Sequence, residues 1–262
     1  MKMLSVVSAL ALAASSTAAL AQTKTAVVLV HGAWETAGVW GQVEAGLKKD
    51  GYRVRTVSLP GRPGNPAAPD KVNLELYQKA VSAVVNQEKG KVVLVGHSFA
   101  GFPISAEAEA EPSKIKTLVY VAAYLPQDGQ SLLGLATTDA GSKVGPLLKI
   151  DKEHGIAQIA YAGRGGLFAN DAPSEVGEMV AKAIVDEPLG PLAEPVHLTA
   201  ARFGSVDKVY VHTARDQVVS PGLQAQMVKA TPVRLETSID SGHTPFITHP
   251  AELVAAIERV AG

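Results

Sequence analysis

Four short runs of aliphatic, largely β-branched residues set the terms on which this chain can fold. Thr25 to Val30 is one and stops at His31 and Gly32; Lys91 to Val95 stops at Gly96; Ile115 to Ala122 and Lys208 to His212 have the same character. None alternates apolar with polar residues over its length, so each needs cover on both faces. That is the signature of parallel strands packed between helices. Weaker strands are expected near Tyr52 to Val57 and near Val233 to Thr237.

Helical patterns fall between these runs. Leu76, Tyr77, Ala80, Val81, Val84 and Val85 repeat at three- and four-residue spacing and form one apolar face, with Asn73 placed to cap it. A last helix is expected from Pro250, a residue suited to a first helical position, with Leu253, Val254, Ile257 and Val260 on its buried stripe. Strand and helix in alternation predict an α/β fold with a mostly parallel central sheet and helices on both faces. Residues 126–201 break the pattern with a stretch rich in Gly, Pro and Ala. So long a connection should carry structure of its own, and a helical cap insertion over the sheet end is the expectation.

The N-terminus reads differently. Lys2 is followed by an apolar, small-residue segment from Leu4 to Leu20, and Ala19-Leu20-Ala21 fits a cleavage site before Gln22. Residues 1–21 are therefore expected to be a signal peptide, leaving a mature domain of residues 22–262 that is periplasmic or secreted. No later stretch is long and apolar enough to span a bilayer. The 262 residues include no cysteine, which rules out disulfides, thiol nucleophiles and thiolate metal sites. A formal net charge of -1 without long charged runs argues against a nucleic-acid partner. The oligomeric state, monomer or dimer, stays open.

Chemistry enters at Val95 to Gly101, V-G-H-S-F-A-G, which an apolar strand enters and a helix-compatible stretch leaves. A sharp strand-to-helix turn would expose Ser98 as a nucleophile. The pattern departs from G-x-S-x-G in having Ala100 at the fifth position and glycine one residue later. An early strand ends at His31-Gly32-Ala33-Trp34. Backbone N–H groups of Ala33 and Phe99 are the expected oxyanion donors.

Serine needs a base. Of the seven histidines, His243 sits in a loop after the last expected strand, at the sheet end that carries Ser98. His97 is expected to pack beneath the turn, His31 to brace the oxyanion loop and His212 to be a satisfied core residue. His154 and His197 read as surface or pocket-wall residues, and His249 as a surface residue. Asp216, which follows the strand at Lys208 to His212, is the preferred carboxylate partner and gives the chain order Ser, Asp, His. Asp128, Asp240 and Asp207 are rivals.

These residues resemble the α/β-hydrolase fold of plant methyl esterases and hydroxynitrile lyases, with their bacterial esterase relatives. The resemblance rests on Val28 to Trp34, Val93 to Ser98, Tyr120 to Pro126, Arg202 to Val206, Tyr210 to Thr213, Asp216 and Gly242-His243, nearly all the mature chain outside the cap. It implies serine-dependent hydrolysis of a small-molecule ester with no metal or organic cofactor. Relatives that cleave cyanohydrins carry Thr at the position of Gly32 and Lys at that of Thr244, so hydrolysis is preferred over the lyase reaction. The lyase and a non-catalytic small-molecule receptor are the alternatives. Hydrolysis of epoxides or haloalkanes would need aspartate at position 98. Gly32, Trp34, Tyr124 and Thr244 are expected to line the substrate pocket, with Tyr161, Leu167 and Phe168 as further candidates.

Overall fold

The computed structural model describes residues 24–262, so the expected leader at residues 1–21 lies outside the described residues. Six strands form the main sheet: β1 (Ala26–Val30), β2 (Val54–Val57), β3 (Val92–His97), β4 (Ile115–Val121), β8 (Asp207–Thr213) and β9 (Leu235–Ile239). Their order is β2-β1-β3-β4-β8-β9, and every neighbouring pair is parallel. The first strand therefore lies inside the sheet, and the chain runs outward from it in both directions. Such a reversal leaves a crevice at the carboxyl ends of the strands.

The unbroken apolar runs make two cores. Val28, Val30, Leu94, Leu118 and Tyr120 point to one face; Val27, Leu29, Val93, Val95 and Val119 point to the other. The first face is covered by α2 (Leu74–Val85), α3 (Gly101–Ala110) and α8 (Pro221–Ala230). The second is covered by α1 (Gly41–Lys49), α9 (Pro245–Thr248) and α10 (Pro250–Ala261). Asn73 caps α2 by accepting the Leu76 N–H at 2.8 Å, and α10 starts at Pro250 with Leu253, Val254, Ile257 and Val260 buried. Each strand buried on both faces removes roughly 1.5–3 kcal/mol of apolar cost per large side chain, which is where a cysteine-free chain finds its stability.

The two outer strands differ from the rest. In β2 Arg55 is exposed and Thr56 half-buried, and in β9 the exposed Glu236 and Ser238 alternate with less exposed neighbours. Arg53 and Arg55 both bond Glu88, at 3.1 and 2.6 Å.

Residues 126–201 hold α4 (Leu132–Ala136), β5 (Leu148–Asp151), β6 (Ile156–Ile159), α5 (Tyr161–Phe168), α6 (Ser174–Ala183), β7 (Glu187–Pro188) and α7 (Gly190–Ala193). The expected helical cap is present as α4 to α7, but it also holds strands that the sequence did not indicate. β5, β6 and β7 form an antiparallel sheet of three strands within it. Ile150 to Ala157 turn back through Gly155, whose positive φ of 66° lets the chain reverse where a helix would have continued.

Candidate active site

The carboxyl ends of β1, β3, β8 and β9 bring Ala33, Ser98, Asp216 and His243 to one side of the sheet. β3 ends at His97, and Ser98 follows with φ at 55°, in the left-handed region that non-glycine residues avoid. A single 3-10 turn, Ser98–Ala100, then feeds α3. The carbonyl of Ser98 accepts the Tyr124 N–H at 3.0 Å, which fixes the turn against the end of β4.

This turn shows why alanine is tolerated at the fifth position of the motif while glycine is needed one residue later. A β-carbon on Gly101 would run into the carbonyl of Tyr124. Ala100, by contrast, packs its methyl into the core. The need for glycine therefore sits at the first position of α3, where helix and strand end meet.

His243 follows β9 in the loop through Ser241 and Gly242. Its Nδ1 lies 2.8 Å from Asp216 Oδ2, and both side chains are fully buried. Asp216 is held in turn. Thr213 Oγ1 donates to Oδ2 at 2.8 Å, and the Val218 and Val219 N–H groups donate to Oδ1 at 2.7 and 3.0 Å. With so many donors fixed on it, Asp216 accepts the Nδ1–H, and the lone pair of His243 is left on Nε2. Nε2 is buried and without a hydrogen bond among the described residues, so it is not bonded to the Ser98 hydroxyl in this arrangement.

The rival carboxylates lie elsewhere. Asp128 is exposed and accepts the Leu198 N–H, Asp240 pairs with Arg215, and Asp207 pairs with Arg234 at the opposite end of β8.

The early loop supplies one free donor. The Gly32 N–H goes to Glu35 Oε2 at 2.7 Å and the Trp34 N–H to Glu187 Oε2 at 2.9 Å. The Ala33 N–H between them has no protein acceptor among the described residues. Phe99, at the start of the turn that becomes α3, has its N–H among those a helix start leaves unused. Ala33, Ser98 and Phe99 share the wall of a cavity of about 440 Å³. The rest is mostly apolar, with Trp34 and Tyr124 near the serine and Leu132, Leu133, Ala136 and Val144 contributed by the cap. Burial raises the Tyr124 hydroxyl above its ordinary range, and the charges of Asp139 and Asp216 push the same way, so it stays protonated.

Other expected pocket residues sit differently. Gly32 is not in the cavity wall. A β-carbon there would lie 2.9 Å from Ser98 Cβ and 3.0 Å from His97 Nδ1, so glycine makes room for the serine turn itself. Thr244 is buried, its hydroxyl given to the Phe168 carbonyl at 2.7 Å, which pins the His243 loop to the cap. Leu167 and Phe168 are buried, and the Phe168 ring packs edge-on to Trp34 at 6.2 Å instead of facing the cavity. Tyr161 is exposed and bonds Glu178 on the outer surface of the cap.

Among the other histidines, His31 donates from Nδ1 to the Gly32 carbonyl and accepts the Leu59 N–H at Nε2. Burial and the Arg62 charge lower its pKa to about 3, consistent with a neutral ring. His212 is not a core residue. It is about one-fifth exposed and faces Glu236 on the outer strand at 2.9 Å. His154 and His197 are exposed, and His249 is half-buried beside Thr248.

Three carboxylates in or beside the site escaped the sequence: Asp139 on the cavity wall, Glu35 and Glu187. Glu35 follows the His31 to Trp34 motif directly, so its place in the chain was a usable signal. Glu187 lies in β7 of the cap, far along the chain, with nothing local to mark it.

With this geometry in view, likeness to known proteins becomes informative. Residues 27–257 match the model of the alpha/beta hydrolase family. Over 254 residues the chain is 31% identical to putative methylesterase 14 of Arabidopsis thaliana, covering 89% of this chain and 71% of that protein. It spans only 54% of some other chloroplastic relatives. It is 27% identical to a pyrethroid hydrolase of Sphingobium wenxiniae over 91% of this chain and 88% of that one. The crystal structure of a pyrethroid hydrolase from Sphingobium faniae JZ-2 superposes with a TM-score of 0.80 at 26% identity, covering 90% of this chain and 97% of that one.

Proposed function

Since the chain belongs to the alpha/beta hydrolase family, we propose that it hydrolyses small, uncharged carboxylic esters through an acyl-enzyme on Ser98. One observation carries this reading: a fully buried His243–Asp216 pair stands at the sheet end that holds a strained serine on the wall of an apolar cavity. The names of the related proteins, methylesterases and pyrethroid hydrolase, support ester chemistry.

In the first step the Ser98 hydroxyl turns toward Nε2 of His243 as the ester enters, a bond of the kind that closes only with substrate in place. His243 takes the proton while Oγ bonds to the carbonyl carbon, and the carbonyl electron pair moves to oxygen. The Ala33 and Phe99 N–H groups hold that oxyanion. Asp216 steadies the imidazolium, which then protonates the leaving alcohol as the C–O bond breaks. Water, deprotonated by the same ring, attacks the acyl-enzyme and releases the acid with Ser98 restored.

The apolar wall favours ester groups without charge. The cyanohydrin reaction has no support here. Gly32 leaves no space for a threonine, and Thr244 provides no positive charge for a departing cyanide.

A fluorophosphonate probe should label the parent chain stoichiometrically at Ser98 and should leave Ser98→Ala unlabelled. A panel of p-nitrophenyl esters of rising acyl length then defines the substrate. Failure to label, or equal ester turnover by Ser98→Ala, would remove the reading. We also propose export with cleavage before Gln22, on the strength of the Lys2 and Leu4 to Ala21 pattern. Recovery of the folded protein from the producing cells with Met1 still at its N-terminus would refute it.

A further inference from the structure

Trp34 is gripped by the cap at every polar group it has. Its N–H donates to Glu187 Oε2 at 2.9 Å, its carbonyl accepts the Val185 N–H at 2.9 Å, and its indole N–H donates to the Ala157 carbonyl at 2.9 Å. The grip holds the residue at φ 61°, a left-handed conformation that a bulky side chain adopts only under constraint. Glu187 is itself completely buried. Its carboxylate is bound by the Arg62 guanidinium and by the Tyr77 hydroxyl, which donates to Oε1 at 2.9 Å. Arg62 also donates to the carbonyls of Glu35 and Pro60. One cap residue thus joins the early loop, the segment around Arg62 and helix α2.

On the other side of Ala33, the Gly32 N–H is held by Glu35. The two carboxylates therefore take the amide hydrogens flanking Ala33. The peptide units before Gly32 and after Ala33 are both anchored, so the unit between them, which carries the Ala33 N–H, cannot rotate freely. Among the described residues that N–H is the one donor of Gly32 to Trp34 left over, and Ala33 lines the cavity together with Ser98.

Resting on the reading of Ser98 as nucleophile, we propose that Glu187 is a positioning residue of the oxyanion site, tying the seating of the cap to the direction of the Ala33 N–H. Glu187 makes no contact with the ester; it acts through Trp34. Arg62 is part of the device. A lone carboxylate so near a developing oxyanion would oppose the reaction, and the guanidinium offsets its charge.

The test compares two ligands that differ only at the reacting carbon. An aryl trifluoromethyl ketone adds to Ser98 and creates a hemiketal oxyanion, whereas the corresponding secondary alcohol fills the cavity without one. The double variant Arg62→Met with Glu187→Met removes the buried pair together, a replacement that folded proteins commonly tolerate. It should lose about ten- to a thousandfold in kcat/KM, mostly in kcat, and lose ketone affinity by a similar factor. Alcohol affinity should stay within about twofold, a split that loss of general packing would not produce. Glu187→Gln, which retains an acceptor oxygen for the Trp34 N–H, should fall between the parent and the double variant. If the double variant does not fold, Glu187→Gln carries the test, with ketone binding weakened and alcohol binding unchanged. A folded variant with ketone affinity and kcat/KM within twofold of the parent, or with both ligands weakened alike, overturns the proposal. Fluorophosphonate labelling of the parent separates this failure from failure of the serine reading, which would show as an unlabelled parent.

Discussion

Glu35 and His97 form a second buried acid–imidazole pair beside the first, with Oε2 3.0 Å from Nδ1. The far nitrogen of His97 lies 2.8 Å from the His243 carbonyl, which can only accept, so Nε2 carries a proton. Burial alone would lower the His97 pKa, but the Glu35 charge and hydrogen bond outweigh it and the net shift is upward. Glu35 moves the other way. Burial opposes its ionisation, and the facing His97 more than offsets that, so its pKa is lowered. Both shifts favour the charged form of the pair, an imidazolium facing a carboxylate, and the pair links Gly32, the serine turn and the His243 loop.

Removing one partner strands the other. Glu35→Ala should destabilise the fold by about 3–5 kcal/mol. A raised His97 contributes fully below its unfolded value of 6.5 and fades as pH rises through its folded value. A lowered Glu35 contributes fully above 4.5 and fades as pH falls through its folded value. The stability gap between parent and variant, measured by urea unfolding across pH, should therefore be widest between those two values and narrow on either side. A gap independent of pH would show that the pair is not charged.

Asp216→Asn should leave the fold intact while lowering turnover about ten-thousandfold, because the amide can hold His243 in the tautomer with its proton on Nε2, which cannot act as base. Ser98→Ala should cost about a millionfold. Steady-state assays with p-nitrophenyl acetate, paired with circular dichroism, separate these losses from unfolding. An Asp216→Asn enzyme within tenfold of the parent would point to another carboxylate.

Gly101→Ala should prevent the serine turn from closing, since the added methyl meets the Tyr124 carbonyl and has no flexible neighbour to displace. Overpacking of this kind costs at least about 1–3 kcal/mol. Ala100→Gly should cost about 1–2 kcal/mol, from the lost buried methyl and the added backbone freedom, and less than Gly101→Ala. Thermal unfolding of both variants gives the comparison directly; equal midpoints would contradict the assignment of the tight contact to position 101.

Glu107, on α3, accepts from Gln78 at 2.6 Å through Oε2, while Oε1 is buried without a partner. Burial, with the nearby Glu111 charge, pushes its pKa up to about 7. A carboxyl raised in the fold binds its proton more tightly there than in the unfolded chain, so its effect on stability worsens as pH climbs from 4.5 to about 7 and then levels off. Glu107→Gln should therefore stabilise the protein by about 1–3 kcal/mol at pH 8 and make little difference at pH 4. Chemical denaturation at the two pH values is the measurement; an equal effect at both would show that ionisation is not involved.

The strands, helices α2 and α10 and the loops carrying Ser98, Asp216 and His243 were legible because each depends on local pattern. A doubly covered strand must be apolar throughout, Asn73 must precede the helix it caps, and the serine must sit where a strand turns into a helix. What the pattern could not supply is tertiary. Thr244 looked like a pocket residue but spends its hydroxyl on the Phe168 carbonyl, a partner 76 positions away. His212 looked like a core residue because its strand is apolar, yet its neighbour is the outer strand with Glu236. The small sheet of the cap escaped for a similar reason: β7 has two residues, Glu187–Pro188, too few for any periodicity to register.

The outer strands carry a consequence beyond the single molecule. A rim strand offers unused backbone donors and acceptors that another chain could extend into a growing ribbon. Here Arg55 on one rim and Glu236 on the other bring exposed charge of opposite sign. A newcomer strand would have to lie against these charges, which disfavours edge-to-edge pairing although no disulfide holds the rims closed.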